Sequence, residues 1–430
     1  MISLVAVRTA LNLKNHGHAS TFIALMDENK FSPYKSKEFA RQRLGSKGAD
    51  YPTLGRKQVP KGLRKHHSTK ELQNMCLRDL QEARDHFGDQ LTYFTQPSPA
   101  NQLKGKDQED AGMQVINTLV DPDFGGSAMI VTFPSETLDQ LCVEDWEAPP
   151  NLLCATLTTC TVLPNDTLLP MHHSNEGTMT TTLLSGFIVW IIWPPTENNH
   201  RSLQTAYENL AAGKDDEIGS QIDFEGGMIF VQTEGDGLRI PPHSVMMALT
   251  TSTAVLATYS EVTVENFISM FQKLPLLRAW FQTELDGDRK QAEFNASILR
   301  HLDILLNGNP DEEDNEDSAL MLSDPLKLPR TKGGILDTLL RTWDHMKNDL
   351  ATVMGPADHE TMENIWEAFL VDVTSLECRI CGKHIQKKEK LMKEHFIGSH
   401  WTTLPETKRY DFKEVLEEDE EHIDAMDQVE

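Results

Sequence analysis

Two stretches of this sequence carry residues whose types and spacing could bind a metal. The first lies near the C-terminus, in CRICGKHIQKKEKLMKEHFIGSH, where Cys378-x2-Cys381 is followed by x13, His395, x4 and His400. Two thiolates on a tight turn and two imidazoles about one helical turn apart can close a tetrahedral zinc site. Ile385 and Leu391 provide the apolar residues that so small a module needs beneath its metal. Without the ion, such a segment is too small to hold itself together. The second stretch is LLPMHHSNEG, from Leu168 to Gly177, where His172 and His173 precede Ser174, Asn175 and Glu176. Histidines beside a carboxylate are metal-site composition, and a polar turn that happens to contain histidines is the plainer reading.

Positioning these residues requires a framework, and the residue periodicity outlines one. From about 113 to 262 the chain runs through short β-branched and apolar segments such as SAMIVTF, LLCATLTTCTVL, TTTLLSGFIVWIIW, GGMIFVQT and AVLATYSEV. Pro, Gly, Asn and Asp separate them, a pattern of short strands that predicts a sandwich or barrel. Ahead of it, from about 71 to 98, ELQNMCLRDLQEARDHF places Leu72, Met75, Cys76 and Leu80 near helical spacing. After Thr263 the period turns helical again. Phe267, Met270, Phe271 and Leu274 mark a helix stopped by Pro275, and Phe294, Ile298, Leu302 and Leu305 mark another. Beyond an acidic run, DEEDNED at 311–317, a third stripe at Ile335, Leu339, Trp343 and Met346 and a fourth at Met362, Ile365, Trp366 and Phe369 follow. Such stripes are most simply core faces.

Within the β unit, three fragments occur in a telling order: LPMHHSNEGT, LLSGFIVWIIWPP and GDGLRIPPHSVMMALTTSTAVL. A polar turn with histidine precedes a strand that enters a Trp-Pro-Pro stop, and a Gly-Asp turn leads into a strand headed by Pro-Pro. Together with LPLLRAWFQTE, this stretch of roughly residues 110–285 resembles the JmjC family, and its fungal members in particular. These are cupin-type double-stranded β-helix proteins that include histone lysine demethylases. The resemblance rests on the order and spacing of motifs more than on identity. It implies an α+β chain with a double-stranded β-helix (cupin, jelly-roll) core, flanking helices and a small C-terminal zinc-finger module. The Cys/His spacing itself resembles the two-Cys, two-His zinc fingers, with one extra residue before the first histidine.

In that family, Fe(II) is held by a His-x-Asp/Glu pair and a distal histidine, with open positions for 2-oxoglutarate and oxygen. This facial triad needs two neutral imidazoles and one anionic oxygen. His172 fits the first position, but the acid two residues later is Ser174; starting from His173 instead gives Asn175. The distal position, four residues after the second proline of the Pro-Pro turn, is Met246, a soft thioether mismatched to oxygen-activating iron. The lysine that anchors 2-oxoglutarate falls on Ile188, the accompanying threonine on Leu169, and Thr178 to Trp193 contains no Lys or Arg. The resemblance therefore implies a degenerate iron site at His172, Ser174 and Met246 and a degenerate 2-oxoglutarate site at Leu169 and Ile188. Neither Fe(II) nor 2-oxoglutarate is the expected cofactor; zinc at the C-terminal module is. A rearranged site would draw on His172 or His173 with Glu176 and His243, although odd spacing puts His243 on the opposite face from Met246 if one strand already runs through both positions.

Charge and composition bound the partners. The chain of 430 residues carries −26, yet residues 1–70 hold fourteen Lys or Arg against four acids. A basic arm of this kind looks for an acidic partner such as nucleic acid or an anionic surface, unless it is a solvated arm with no fixed partner. The finger segment is basic too, through Arg379, Lys383, Lys387, Lys388, Lys390 and Lys393. No run of about 18 apolar residues exists, so no membrane helix is expected, and only one of the cysteine pairs is closely spaced, which favours a reducing compartment. The expected organisation is a basic arm (1–70), a JmjC-like cupin domain with its leading helix (71–285), a helical region (286–370) with an acidic linker at 307–330, the finger (371–402) and an acidic tail (403–430). A catalytically degenerate, chromatin-associated nuclear adaptor fits these features best, meeting chromatin proteins or DNA through its arm and finger. An active demethylase or hydroxylase with rearranged ligands, or a zinc-finger DNA-binding protein using the cupin as scaffold, are the alternatives. The N-terminus lacks an acid before Asp27 but is poor in Arg, so mitochondrial import ranks below the nucleus.

Overall fold

A computed structural model describes residues 51–64, 69–87, 130–143, 152–214, 224–284, 286–307 and 353–371, with short pieces at 32–33, 93–94, 350 and 383–384. The chain divides into two compact units, Met1–Leu328 with Val353–Ile365, and Pro329–Thr352 with Trp366–Glu430. The zinc-ligand candidates Cys378, Cys381, His395 and His400, the helix expected around 335–346, the acidic linker and the acidic tail lie outside the described residues, as does most of the basic arm.

Thirteen strands are described. They are β1 (Ser32–Pro33), β2 (Thr53–Gly55), β3 (Tyr93–Phe94), β4 (Ile130–Pro134), β5 (Leu152–Ala155), β6 (Thr159–Leu163), β7 (Leu168–His173), β8 (Thr178–Ser185), β9 (Phe187–Trp193), β10 (Met228–Thr233), β11 (Gly237–Ile240), β12 (Val245–Thr250) and β13 (Ala254–Thr263). The small sheet has the order β1-β10-β9-β12-β7; the large one runs β2-β11-β8-β13-β6-β4-β3, with β5 also on β13. From β6 to β13 the chain crosses between the sheets so that β6 pairs β13, β7 pairs β12, β8 pairs β11 and β9 pairs β10, all antiparallel. This is the winding of a jelly roll. Gly186, at φ +97, makes the crossing from β8 to β9, where a Cβ would collide with the Thr253 carbonyl.

Alternation along the strands sorts the core into layers. In β9, Ile188, Trp190 and Ile192 face the space between the sheets, with Met228, Phe230, Leu238, Met246, Ala248 and Leu256. Val189, Ile191 and Trp193 face outward, beneath α4 (Glu197–Ala211) and α6 (Leu274–Phe281), which contribute Leu203, Tyr207 and Leu276. The outer face of the large sheet is covered by α1 (Lys61–Arg64), α2 (Thr69–Phe87) and α3 (Glu136–Val143) through Leu63, Cys76, Leu80 and Leu138. Gln232 is a polar residue in the lumen: it is fully buried, accepts from Trp190 Nε1 at 3.0 Å and donates to the Thr181 and Asp236 carbonyls. A buried amide is tolerated there because its hydrogen-bonding groups are matched.

Several elements depart from the sequence expectation. Residues 51–64, read as part of a weakly structured arm, add β2 to β11 and bury Val59 and Leu63. The leading helix ends at Phe87, and Tyr93–Phe94 is a strand paired with β4, since Gly88 precedes a β-prone run. LLCATLTTCTVL makes two strands, β5 and β6, because the intervening Thr156 and Thr158 bond to Ser260 and Asp139 rather than to a ladder. Pro275 starts α6 after α5 (Val264–Met270) and a short 3-10 turn; its missing N–H costs nothing in a first helical turn. The stripes after Asp286 form α7 (Gly287–Asn307) and α8 (Pro356–Val371).

Candidate functional site

The residues singled out at the lumen arrive there through an irregularity. On β7, His173 stands opposite Val245 and His172 opposite Met246, but the next pair is Leu169 with Ala248, so β7 carries one extra residue. A bulge of this kind shifts the side-chain parity. Leu169 and His172, three apart, thereby share the face of Met246, while Met171 joins the outer layer. Leu169, Ile188 and Met246 all belong to the apolar lumen cluster, among Trp190, Ile192 and Phe230. His172 is partly buried, its Nδ1 2.6 Å from the Pro170 carbonyl, and burial holds its pKa below the usual range despite that bond and the nearby Glu284.

Ser174 is engaged elsewhere. Its Oγ donates to the Pro241 carbonyl at 2.7 Å and accepts from the Ser244 N–H at 2.9 Å, while its own N–H donates to the Ser244 carbonyl at 2.8 Å. The His243 N–H donates to the Asn175 carbonyl at 3.1 Å. These bonds zip the β7–β8 turn to the Pro241–Ser244 turn, leaving the hydroxyl where a carboxylate would meet a carbonyl oxygen. Ser174→Ala is expected to cost about 1 kcal/mol, because it removes two buried hydrogen bonds while the Pro241 carbonyl keeps the Ser244 Oγ at 2.9 Å and the Ser244 N–H keeps only its long bond to that carbonyl at 3.4 Å. Urea denaturation measures this, and an unchanged midpoint would remove the clasp from the account.

On the other side of the small sheet, three histidines come together. His173 from β7, His200 from α4 and His243 from the turn before β12 are 8%, 5% and 2% exposed. The His243 ring lies 6.3 Å from that of His173, nearly parallel at 23°, and 6.3 Å from that of His200, at 88°. His173 shares its Nδ1 with the Tyr207 hydroxyl at 3.0 Å and meets the Trp280 ring edge-on at 5.1 Å. His200 donates Nε2–H to the His243 carbonyl at 2.7 Å, and His243 itself sits at φ 53, a left-handed conformation uncommon outside glycine. His200 Nδ1 and both ring nitrogens of His243 are buried without a hydrogen-bond partner, a cost of about 1–3 kcal/mol for each atom so stranded.

Burial is the first cause that keeps these imidazoles neutral. It brings His173 down to about 3, with His172 and His200 adding repulsion, and His200 down to about 4, with Lys273 adding to it. His243 is held well below the usual range by burial and by His173, His200 and Lys273. The sequence pointed to His173 and His243 as displaced ligands together with Glu176. The structure brings the two histidines together, but Glu176 lies at the β7–β8 turn, near Cys154 of β5, whose thiol pKa is raised by burial first and by Glu176 second. The third member is instead His200, which sequence reasoning missed. Its signal was the helix start at Thr196, whose Oγ accepts from the Asn199 N–H at 3.2 Å. Among the described residues, no three His, Cys, Asp or Glu side chains already converge as a metal site.

The winding of β6 to β13 and the apolar lumen make this an α+β chain with a cupin-like sandwich. No protein-family model and no curated protein sequence matches the chain. Similar solved structures include the cupin domain of Schizosaccharomyces pombe Cnp3, at 11% identity and a TM-score of 0.17, with 31% of this chain and 64% of that one covered. Another is a cupin superfamily protein from Desulfitobacterium hafniense, at 8% identity and a TM-score of 0.17, covering 31% of this chain and 77% of that one. The match thus spans less than two thirds of the Cnp3 domain. The fold assignment rests on the strand order.

Proposed function

We propose that this chain is a JmjC-like protein whose cupin unit has lost Fe(II)/2-oxoglutarate chemistry and serves as a chromatin-associated, nuclear adaptor. The observation that carries the reading is the filling of the lumen at the expected cofactor positions. Leu169, Ile188 and Met246 pack there with Trp190 and Phe230, and Ser174 is committed to backbone partners. A facial triad needs a carboxylate and a second imidazole at those places, and 2-oxoglutarate needs a cation. A packed, satisfied lumen makes the unit a rigid scaffold that presents its surface and its flanking segments. In this reading zinc is held by Cys378, Cys381, His395 and His400, and acidic chromatin partners meet the basic arm and finger.

Two measurements on the full-length protein test this. Metal analysis is expected to find zinc and no iron, and incubation with Fe(II) and 2-oxoglutarate is expected to form no succinate. Stoichiometric iron with succinate formation that His172→Ala abolishes would replace the adaptor with an oxygenase using displaced ligands.

A further inference from the structure

We propose that His173, His200 and His243 bind a borderline divalent transition-metal ion of the zinc class, on the outer face of the small sheet and apart from the lumen positions. The proposal does not rest on the adaptor reading, because no residue of the cluster belongs to the lumen core.

The first argument is the pattern of partnered and unpartnered nitrogens. His200 gives its Nε2–H to a carbonyl, which leaves Nδ1 with an exposed lone pair, and that atom is buried without a partner. His173 Nδ1 meets the Tyr207 hydroxyl, and in the tautomer that donates Nδ1–H to that oxygen Nε2 keeps its lone pair. His243 has both ring nitrogens free at 2% exposure. One nitrogen anchored to a carbonyl or hydroxyl, with the other available, is how metal-ligating histidines are oriented. Buried polar atoms without partners call for an ion or a water, and three imidazoles answer to zinc, copper or nickel.

The second argument is reach. Zn–N bonds of about 2.0–2.1 Å in tetrahedral geometry put two imidazoles on one ion with ring centroids about 5 Å apart. The separations of 6.3 Å on either side of His243 exceed that by roughly 1 Å, a gap that a change of ring rotamer spans. Convergence on one point requires turning the rings, chiefly His243, which no hydrogen bond holds. The surrounding field is mixed. Lys273 opposes a cation, and Glu197 attracts that ammonium. Glu284 is close enough to act on both Tyr207 and His172. Because the imidazoles are neutral, no proton has to leave before metal enters. The ion would tie α4 to β7 and to the turn before β12, the three places from which the ligands come.

Cobalt(II) is the probe, since its spectrum separates thiolate from imidazole ligation. The full-length protein, stripped with a chelator, is titrated with cobalt and compared with His200→Gln and His173→Gln. The glutamine at 200 keeps an amide N–H for the His243 carbonyl while removing the imidazole lone pair. Wild type is expected to take up cobalt at a site with visible d–d bands and no sulfur charge-transfer band, distinct from any thiolate-bound equivalent. Both variants are expected to lose at least about 100-fold in affinity at that site, given that loss of mere supporting groups costs 10–100-fold. Circular dichroism confirms that each variant is folded, and a folded His173→Gln suffices if His200→Gln is not. Uptake confined to thiolate-bound cobalt, or an imidazole-type signal unchanged in a folded variant, would overturn the proposal and assign the free nitrogens to buried water.

Discussion

Ile188→Lys is expected to destabilise the protein by at least about 3 kcal/mol, a loss large enough to leave much of it unfolded at 37 °C. In the JmjC-like reading proposed above, Ile188 stands where that family keeps its 2-oxoglutarate lysine, and the substitution would introduce that residue type. The side chain is fully buried, however, in register with Gln232 on one strand and Thr250 on the other. The rest of the lumen around it is an apolar cluster, and Gln232 already spends its groups on Trp190, Thr181 and Asp236. An ammonium there has no carboxylate to meet, and an unpaired buried charge is among the few single changes with effects of this size. Thermal and urea denaturation of the variant measure it. A variant as stable as wild type, with 2-oxoglutarate raising its melting temperature, would mean that the lumen opens for the co-substrate and would undercut the adaptor reading.

Acid is expected to unfold the cupin unit well above the pH at which its carboxylates protonate. His173 titrates at about 3 in the folded protein, and His200 and His301 at about 4, in each case chiefly because burial disfavours the charged ring. In the unfolded chain each titrates near 6.5. Between these values the unfolded chain binds more protons, so stability is intact above about pH 6.5 and falls as the pH drops toward 4 and then 3. For His200 the full shift corresponds to a loss on the order of 3 kcal/mol. Urea midpoints followed from pH 7.5 to 4.5 should decline steadily, and His200→Gln should flatten the decline. A wild-type midpoint constant over that range would contradict the burial of neutral rings.

Much of the β unit was legible because alternation and turn residues are local properties. The runs FIVWIIW and MIFVQT became β9 and β10, whereas His243 lies in the turn before β12 at φ 53, so strand alternation between it and Met246 does not apply. The helix α4 was not legible, since its polar sequence ENNHRSLQTAYENLA sits between strands and shows its apolar side only through Leu203, Ala206 and Tyr207. Nor was the bulge in β7, because an extra residue in a ladder leaves no mark in composition. That bulge brings Leu169 and His172 to one face, which a strict period of two would have forbidden.

The positions Ser174, Ile188 and Met246 could be singled out from the chain order of motifs, as an expectation that the resemblance alone raised. Where those side chains go was a matter of tertiary structure. Ser174 bonds a turn 67 residues away, and His200 bonds the backbone of a histidine 43 residues away. Local propensity cannot encode such meetings; they exist only once the jelly roll has wound its strands and laid α4 across the small sheet. The histidine pair that the sequence marked at His172 and His173 is thus divided by the pleat, one ring on the face of the closed lumen and the other in an outer cluster assembled from three separate elements.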